Sequence, residues 1–281
     1  MRRITALFLL NILHRPAFGR AVFFVYDRAM QDTPSKQASS GHLHPLTIVM
    51  REAVDLLVEM GFEVAEGPEI ETEYYNFDAL NVPKDHPSRD MQDTFWIKDA
   101  PEMVMRTQTS AVQVRYMKRY MQSNKPPFAI AVPGKVFRNE ATDATHEAQF
   151  YQLEGLVVGK DISLAHLKGT LDTFFKKLYG EKTVLRFRPS FFPFTEPSVE
   201  IDVSCFKCGG SGCNVCKGTG FIEVMGAGMV HPNVLKAGGV DPREYRGFAF
   251  GTGVDRLAML KWGIDDVRLL YSGDLRVVNQ F

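Results

Sequence analysis

The sequence predicts an α+β protein, an antiparallel β-sheet flanked by helices, and three observations predict it. Six β-type runs follow one another largely without helices between them: FAIAVPGKVFRN, FYQLEGLVVG, TVLRFRPSFFPF, SVEIDVS, GFIEVMGAGMV and GFAFGTG. That order favours hairpins over βαβ units. Several runs alternate, so that Val199, Ile201 and Val203 share one face. Three other segments carry helical periodicity instead.

The first helix is read from HPLTIVMREAVDLLVEMG. Val49, Val54, Leu57 and Val58 recur at helical spacing, Arg51, Glu52, Asp55 and Glu59 fall mostly elsewhere, and Gly61 ends the run. The second spans 109–122, with Thr109 or Ser110 as its cap. The third spans 163–180, with Ser163 as cap and Gly180 as stop. The last strand runs into VDRLAMLKWG, a short helix with Val254, Leu257 and Ala258 on one side.

The chain has 281 residues, 45% apolar and 23% charged, which is the composition of a soluble globular protein. Formal net charge is zero, so overall electrostatics give no support to nucleic-acid binding. The charge is uneven. Residues 1–30 hold five Arg against Asp27 alone, net +4, and the remainder is net −4. The apolar run ITALFLLNIL behind MRR is too short to span a bilayer. QDTPSKQASSG reads as a linker. Residues 1–40 are therefore expected to form a poorly ordered extension and linker, and residues 41–281 the working domain. No membrane association is expected, and the chain reads as cytoplasmic.

Two constellations carry chemistry. Val136-Phe137-Arg138-Asn139-Glu140, a polar loop and Phe150-Tyr151-Gln152-Leu153-Glu154 make a hairpin with a charged inner surface. Arg suits a phosphate because its planar fork donates two hydrogen bonds at once; a plain surface Arg–Glu pair explains the same residues. Gly251-Thr252-Gly253-Val254-Asp255-Arg256 puts backbone N–H groups and an Arg at a strand-to-helix turn. That arrangement favours anions, although glycine also serves tight turns generally.

In this order, after a helix that ends in glycine before Pro68, the two resemble the signature motifs of class II aminoacyl-tRNA synthetases. The stretches GFEVAEGPEIETEYYNFDALNVPKDHPSRDMQDTFW, DATHEAQFYQLEGLVVG, FRPSFFPFTEPSVEIDV, GAGMVHPNVL and GFAFGTGVDRLAML are similar to the catalytic α subunit of bacterial phenylalanyl-tRNA synthetases. The resemblance runs from about residue 40 to the C-terminus.

The resemblance implies ATP-dependent activation of phenylalanine to phenylalanyl-adenylate, then transfer to tRNA(Phe). It implies Mg²⁺, and a β subunit in an α₂β₂ heterotetramer. It puts Arg138 on the α-phosphate and Arg256 on the γ-phosphate. Glu140 and His146 would line the ATP site, and Phe150 would stack on adenine. Glu196 would be a Mg²⁺ ligand. Phe192 and Phe194 would meet the substrate ring edge to face, with Ala249 as pocket floor. Gln152 and Glu154 would hold the ammonium group, with Ser110, Gln113 and Trp96 as further contacts. Gln108 stands where the family usually reads His, and it cannot become cationic. Residues 1–40 are too short for the family's N-terminal helical arm. The competing reading is a synthetase-like paralogue that adenylates an amino acid or regulates.

All four cysteines fall in CFKCGGSGCNVCKGTG, the motif Cys-x-x-Cys-x-Gly-x-Gly written twice between two strands. Two residues between cysteines let both thiolates face one ion, and the glycines permit the turns. Cys205, Cys208, Cys213 and Cys216 are candidate Zn²⁺ ligands; reduced thiols and disulfides remain the alternatives. The doublet reads as a fastener rather than the seat of the chemistry.

Overall fold

The computed structural model describes residues 41–90 and 93–281. The expected extension, residues 1–40, lies outside the described residues.

Helix α1 (Pro45–Glu59) starts where His44 caps the Leu46 N–H and Pro45 needs no partner for its nitrogen. Its buried stripe is Leu46, Val49, Ala53 and Leu57. This corrects the stripe read from sequence. Val54 is only half-buried and Val58 is 47% exposed. The 3–4 spacing that continues through Ala53 leaves Val58 about 100° round the helix from Leu57.

Strand β1 (Glu63–Val64) follows the left-handed Gly61, where φ is 93°. It pairs in parallel with β4 (Phe128–Phe137). The sheet is thus not wholly antiparallel: one two-residue edge, too short to show a period, runs with its neighbour. Strands β2 (Ile70–Thr72) and β3 (Met103–Met105) form a separate antiparallel pair. Between them lies α2 (Glu73–Asn76), and after them α3 (Ser110–Tyr120). Thr109 stands at the cap position of α3 but makes no side-chain cap bond.

The main sheet continues with β5 (Gln149–Gly159), β6 (Leu185–Phe192), β7 (Thr195–Ser204), β8 (Phe221–Val230) and β9 (Arg246–Gly253). The seven strands lie in the order β1-β4-β5-β9-β8-β7-β6. Helix α4 (Leu164–Tyr179) connects β5 to β6, with a capping box between Ser163 and His166 and Gly180 at its end. Short α5 (Pro232–Ala237) precedes β9, α6 (Val254–Trp262) continues directly from it, and α7 (Leu275–Val278) lies near the C-terminus.

The two faces of the sheet have different tasks. On one, α1, α4 and α6 bury Leu57, Phe174, Phe175 and Leu257 against Leu153, Val157 and Phe248. All seven are at most 2% exposed. Each such side chain contributes about 1.5–3 kcal/mol relative to exposure. On the other face, α3 and the 77–82 segment cover Ile130, Val132, Leu156 and Val158. The second face also carries a row of small residues, and there the sheet is left open.

Candidate active site

The opening follows from register. Across β5, β9, β8 and β7 the directly opposed residues are Glu154, Gly251, Gly226 and Glu200, and Arg188 on β6 extends the row. The next row is Leu156, Ala249, Gly228 and Ser198. Opposed residues share a face, so a lane of glycine and alanine crosses the sheet between two acids. A Cβ on Gly226 would lie 3.0 Å from the Phe192 ring, and one on Gly251 3.0 Å from Glu154 Cγ. The lane is the floor of a cavity of about 320 Å³.

One end of the cavity is anionic. Glu154 is 3% exposed. Ser110 Oγ donates to its carboxylate at 2.8–2.9 Å and Gln113 Nε2 at 2.6 Å. Both donors come from the first turn of α3. Burial pushes the Glu154 carboxyl up to about 6, against the pull of hydrogen bonds from Ser110, Thr109 and Gln113. Gln152, two residues along β5, is oriented by the Thr109 N–H donating to its Oε1 at 3.2 Å. Gln108 lines the cavity and donates from Nε2 to the Asn76 carbonyl at 3.4 Å. Asn76 in turn exchanges two bonds with Thr107, each 3.1 Å. The segment before α3 is therefore wired in place by buried polar groups.

The other end is apolar. Phe192 and Phe194 stack with centroids 5.7 Å apart and planes 5° from parallel. Ala249 lies on the floor beside them, with Val230 and Val234 as walls. The Phe192–Phe194 turn is held by Asn81, whose Nδ2 donates to the Pro193 carbonyl at 2.7 Å. Asn81 takes φ 59°, a conformation Asn tolerates better than most residues.

A third side is charged. Arg138 lies one residue beyond β4 rather than on the strand, and its N–H closes the hairpin onto Ala148 at 2.9 Å. Its guanidinium lines the cavity, lies 5.1 Å from the Phe150 ring centroid and donates to the Thr107 carbonyl. Glu200 on β7 and Glu223 on β8 also line the cavity. Arg188 grips both, at 2.8 Å and 2.9 Å, and also binds Asp202. Asp202 is buried, which would raise its pKa, but Arg188 and Arg186 hold it below the ordinary value. Arg256, in the first turn of α6, donates to the Glu223 carbonyl at 3.4 Å.

The structure thus brings Gln108, Ser110, Gln113, Arg138, Gln152, Glu154, Phe192, Phe194 and Ala249 to one cavity. Others stand apart from its wall. Arg256 reaches it only through Glu223. Phe150 lies beneath Arg138. Glu140 is half-buried just beyond, and exposed His146 is tied to Asp143 at 3.0 Å. Trp96 packs into the second core, its indole N–H buried without a hydrogen-bond partner among the described residues. Glu196 is 76% exposed and 3.6 Å from His231 Nε2.

Sequence reading missed Glu200, Glu223 and the glycine lane. The alternation around Val199 signalled that Glu200 faces away from the core, but only the register shows that it shares a row with Glu154. It also missed Asp255, a buried acid on α6. Asp255 accepts the Tyr151 N–H at 2.9 Å and the Tyr271 hydroxyl, and burial raises its pKa.

The four cysteines form the tip between β7 and β8. Their sulfurs all lie within 4.8 Å of one another, and no other set of three or more His, Cys, Asp or Glu ligands converges this way among the described residues.

Comparison with known proteins gives consistent matches. The family model "tRNA synthetases class II core domain (F)" matches residues 27–281. The phenylalanine–tRNA ligase alpha subunit of Bacillus subtilis is 60% identical over 248 residues, which are 88% of this chain and 71% of that protein. The same-named subunit of Enterococcus faecalis is 57% identical, covering 88% and 70%. That of Caldanaerobacter subterraneus is 56% identical, covering 88% and 71%.

Proposed function

The chain belongs to the phenylalanine–tRNA ligase alpha-subunit family of class II synthetases, and from that premise we propose that it is the catalytic subunit that activates phenylalanine with ATP and passes it to tRNA(Phe). One observation carries the reading. A buried carboxylate, an aromatic pair, a floor of glycine and alanine and an arginine line one cavity. A zwitterionic aromatic amino acid matches that polarity end for end.

The ammonium group sits on Glu154, with Ser110 and Gln113 fixing the carboxylate and Gln152 beside it. The ring lies against Phe192 and Phe194, a contact aromatic pairs favour in offset or edge-on geometry. Ala249 leaves room beneath it. The substrate carboxylate then faces Arg138. Its oxygen attacks the α-phosphate of ATP, a bond to phosphorus forms, and the bond to the β-phosphate oxygen breaks to release pyrophosphate. No general base is needed, because the carboxylate is already ionised. Arg138 stabilises charge that develops on the α-phosphate. Arg256 holds the γ-phosphate, and Phe150 offers a face for adenine. Glu140 and His146 flank the nucleotide.

Mg²⁺ accompanies the ATP phosphates in this class. Glu196, the ligand the resemblance implies, would supply a hard oxygen such an ion takes, as would Glu200 and Glu223, which line the cavity and are held there by Arg188. The four-cysteine tip plays no part in the chemistry. The partner is the β subunit, in an α₂β₂ assembly, and the work is cytoplasmic. No helix among the described residues is long and apolar enough to cross a membrane.

The test separates the two steps. The chain is purified with its cognate β subunit, and phenylalanine-dependent ATP–pyrophosphate exchange and tRNA charging are measured independently. Both activities are expected. Exchange without charging would favour an adenylating paralogue, and Gln108 at the cavity is the residue that reading would rest on. Neither activity in a folded assembly would overturn the proposal.

A further inference from the structure

We propose that Cys205, Cys208, Cys213 and Cys216 bind one structural Zn²⁺ as a tetrathiolate, a metal site distinct from the ATP chemistry. The argument begins with repetition in space. The sequence doublet folds into two equivalent knuckles eight residues apart. The Gly212 N–H donates to Cys208 Sγ at 3.2 Å, and the Gly220 N–H to Cys216 Sγ at 3.2 Å. Ser211 Oγ donates to the Cys208 carbonyl at 2.7 Å, and Thr219 Oγ1 to the Cys216 carbonyl at 2.7 Å. Gly209 and Lys217 take φ 58° and 51°; Gly210 and Gly218 take 100° and 78°; Gly212 and Gly220 take 95° and 75°. A turn that merely joined two strands would not need the same unusual backbone twice.

The two knuckles face each other closely. A Cβ on Gly212 would lie 2.8 Å from the Gly218 carbonyl oxygen, and one on Gly220 2.2 Å from that of Gly210. The approach brings the thiols together in pairs that cross from one knuckle to the other. Cys205 and Cys213 sulfurs are 3.8 Å apart, and those of Cys208 and Cys216 are 3.8 Å apart. Cys213 and Cys216 are 3.7 Å apart. Four sulfurs at about 2.3 Å from a central Zn²⁺ stand about 3.8 Å apart along the edges of a tetrahedron. A disulfide needs about 2.05 Å. Three of the six separations match those edges and all six fall within 4.8 Å, close enough for one ion and too long for a disulfide. The N–H···S bonds supply the outer contacts that favour thiolate over thiol.

The cage is joined to the rest of the fold. Cys205 and Cys216, 1% and 5% exposed, belong to the same core as α6, while Cys208 and Cys213 are packed against it. The tip closes the β7–β8 hairpin, whose Glu223 carbonyl receives Arg256. The ion therefore fastens the strands that hold one side of the cavity.

The experiment measures metal, not activity, so its outcome is independent of the function proposed above. The full chain is prepared under reducing conditions, loaded with Zn²⁺, dialysed and analysed for bound zinc. A stoichiometry near one per chain is expected. Replacement by Co²⁺ should give the strong thiolate charge-transfer and visible bands of a tetrahedral tetrathiolate. Cys208→Ser with Cys213→Ser, changed at the less buried positions, should lose the ion and those bands. Zinc below about 0.2 per chain in the wild type, Co²⁺ spectra without thiolate bands, or undiminished zinc in the double variant would each overturn the site. The wild-type measurements need no variant to fold.

Discussion

Replacing Glu154 by Gln tests the ammonium site most sharply. The carboxylate is buried, and its ordinary pKa of 4.5 is raised to about 6. That shift corresponds to about 2 kcal/mol of preference for the neutral form. The sign is that of a carboxyl whose folded pKa is raised: the fold disfavours the charge above about pH 6 and is relieved as pH falls toward the ordinary value. Glu154→Gln should therefore not lower the melting temperature of the empty protein at pH 7.5. Its effect should appear with substrate. A charge-assisted hydrogen bond is worth about 1.5–3 kcal/mol, so the apparent KM for phenylalanine should rise roughly 10- to 150-fold, with a smaller change for ATP. The pyrophosphate-exchange assay gives both. The wild-type KM for phenylalanine should also rise as pH falls through about 6, while the variant shows no such rise. A variant with unchanged KM, or with the wild-type pH profile, would refute the assignment of the ammonium group to Glu154.

Three further predictions concern the floor, the phosphate side and the fold. Ala249→Gly should admit para-substituted phenylalanines, because Ala249 is the floor beside the aromatic pair; an unchanged preference for phenylalanine in exchange would sink that placement. Arg138→Ala should lower kcat for adenylate formation about 10²- to 10³-fold, and a loss expressed only in the KM for phenylalanine would contradict a role at the α-phosphate. Asp255→Ala leaves the Tyr151 N–H and the Tyr271 hydroxyl without their acceptor. It should cost about 2–5 kcal/mol, read as a denaturant midpoint shifted well below that of Tyr271→Phe, which leaves no donor unpaired.

The elements were legible because their periods are local. The six strand runs, the Ser163 and Gly180 boundaries of α4 and the Val254, Leu257 and Ala258 stripe of α6 each follow from spacing over a few residues. What spacing over a few residues cannot carry is register. Glu200, Gly226, Gly251 and Glu154 are scattered over nearly a hundred positions and become one row only when four strands pair. The parallel edge β1 was illegible for a simpler reason, since two residues cannot show a period. On α1 the stripe passes through Ala53, a small residue that a search for large apolar side chains skips in favour of exposed Val58. The motif residues divide in the same way. Arg138, Glu154 and Phe192 were identified from the family resemblance and meet in the cavity. Arg256 approaches through a backbone carbonyl, and the Glu196 side chain is 76% exposed beside His231, positions that only the folded chain reveals.

The central claim is that one cavity holds the ammonium group on Glu154, the ring against Phe192 and Phe194, and the acyl phosphate at Arg138. The most direct measurement is the structure of the chain, assembled with its β subunit, bound to a non-hydrolysable phenylalanyl-adenylate analogue. It should show the α-amino group within hydrogen-bond reach of Glu154, the ring over Ala249 and the phosphate surrogate on Arg138. An analogue bound elsewhere, or in this cavity with its ring toward Glu154, would contradict the account.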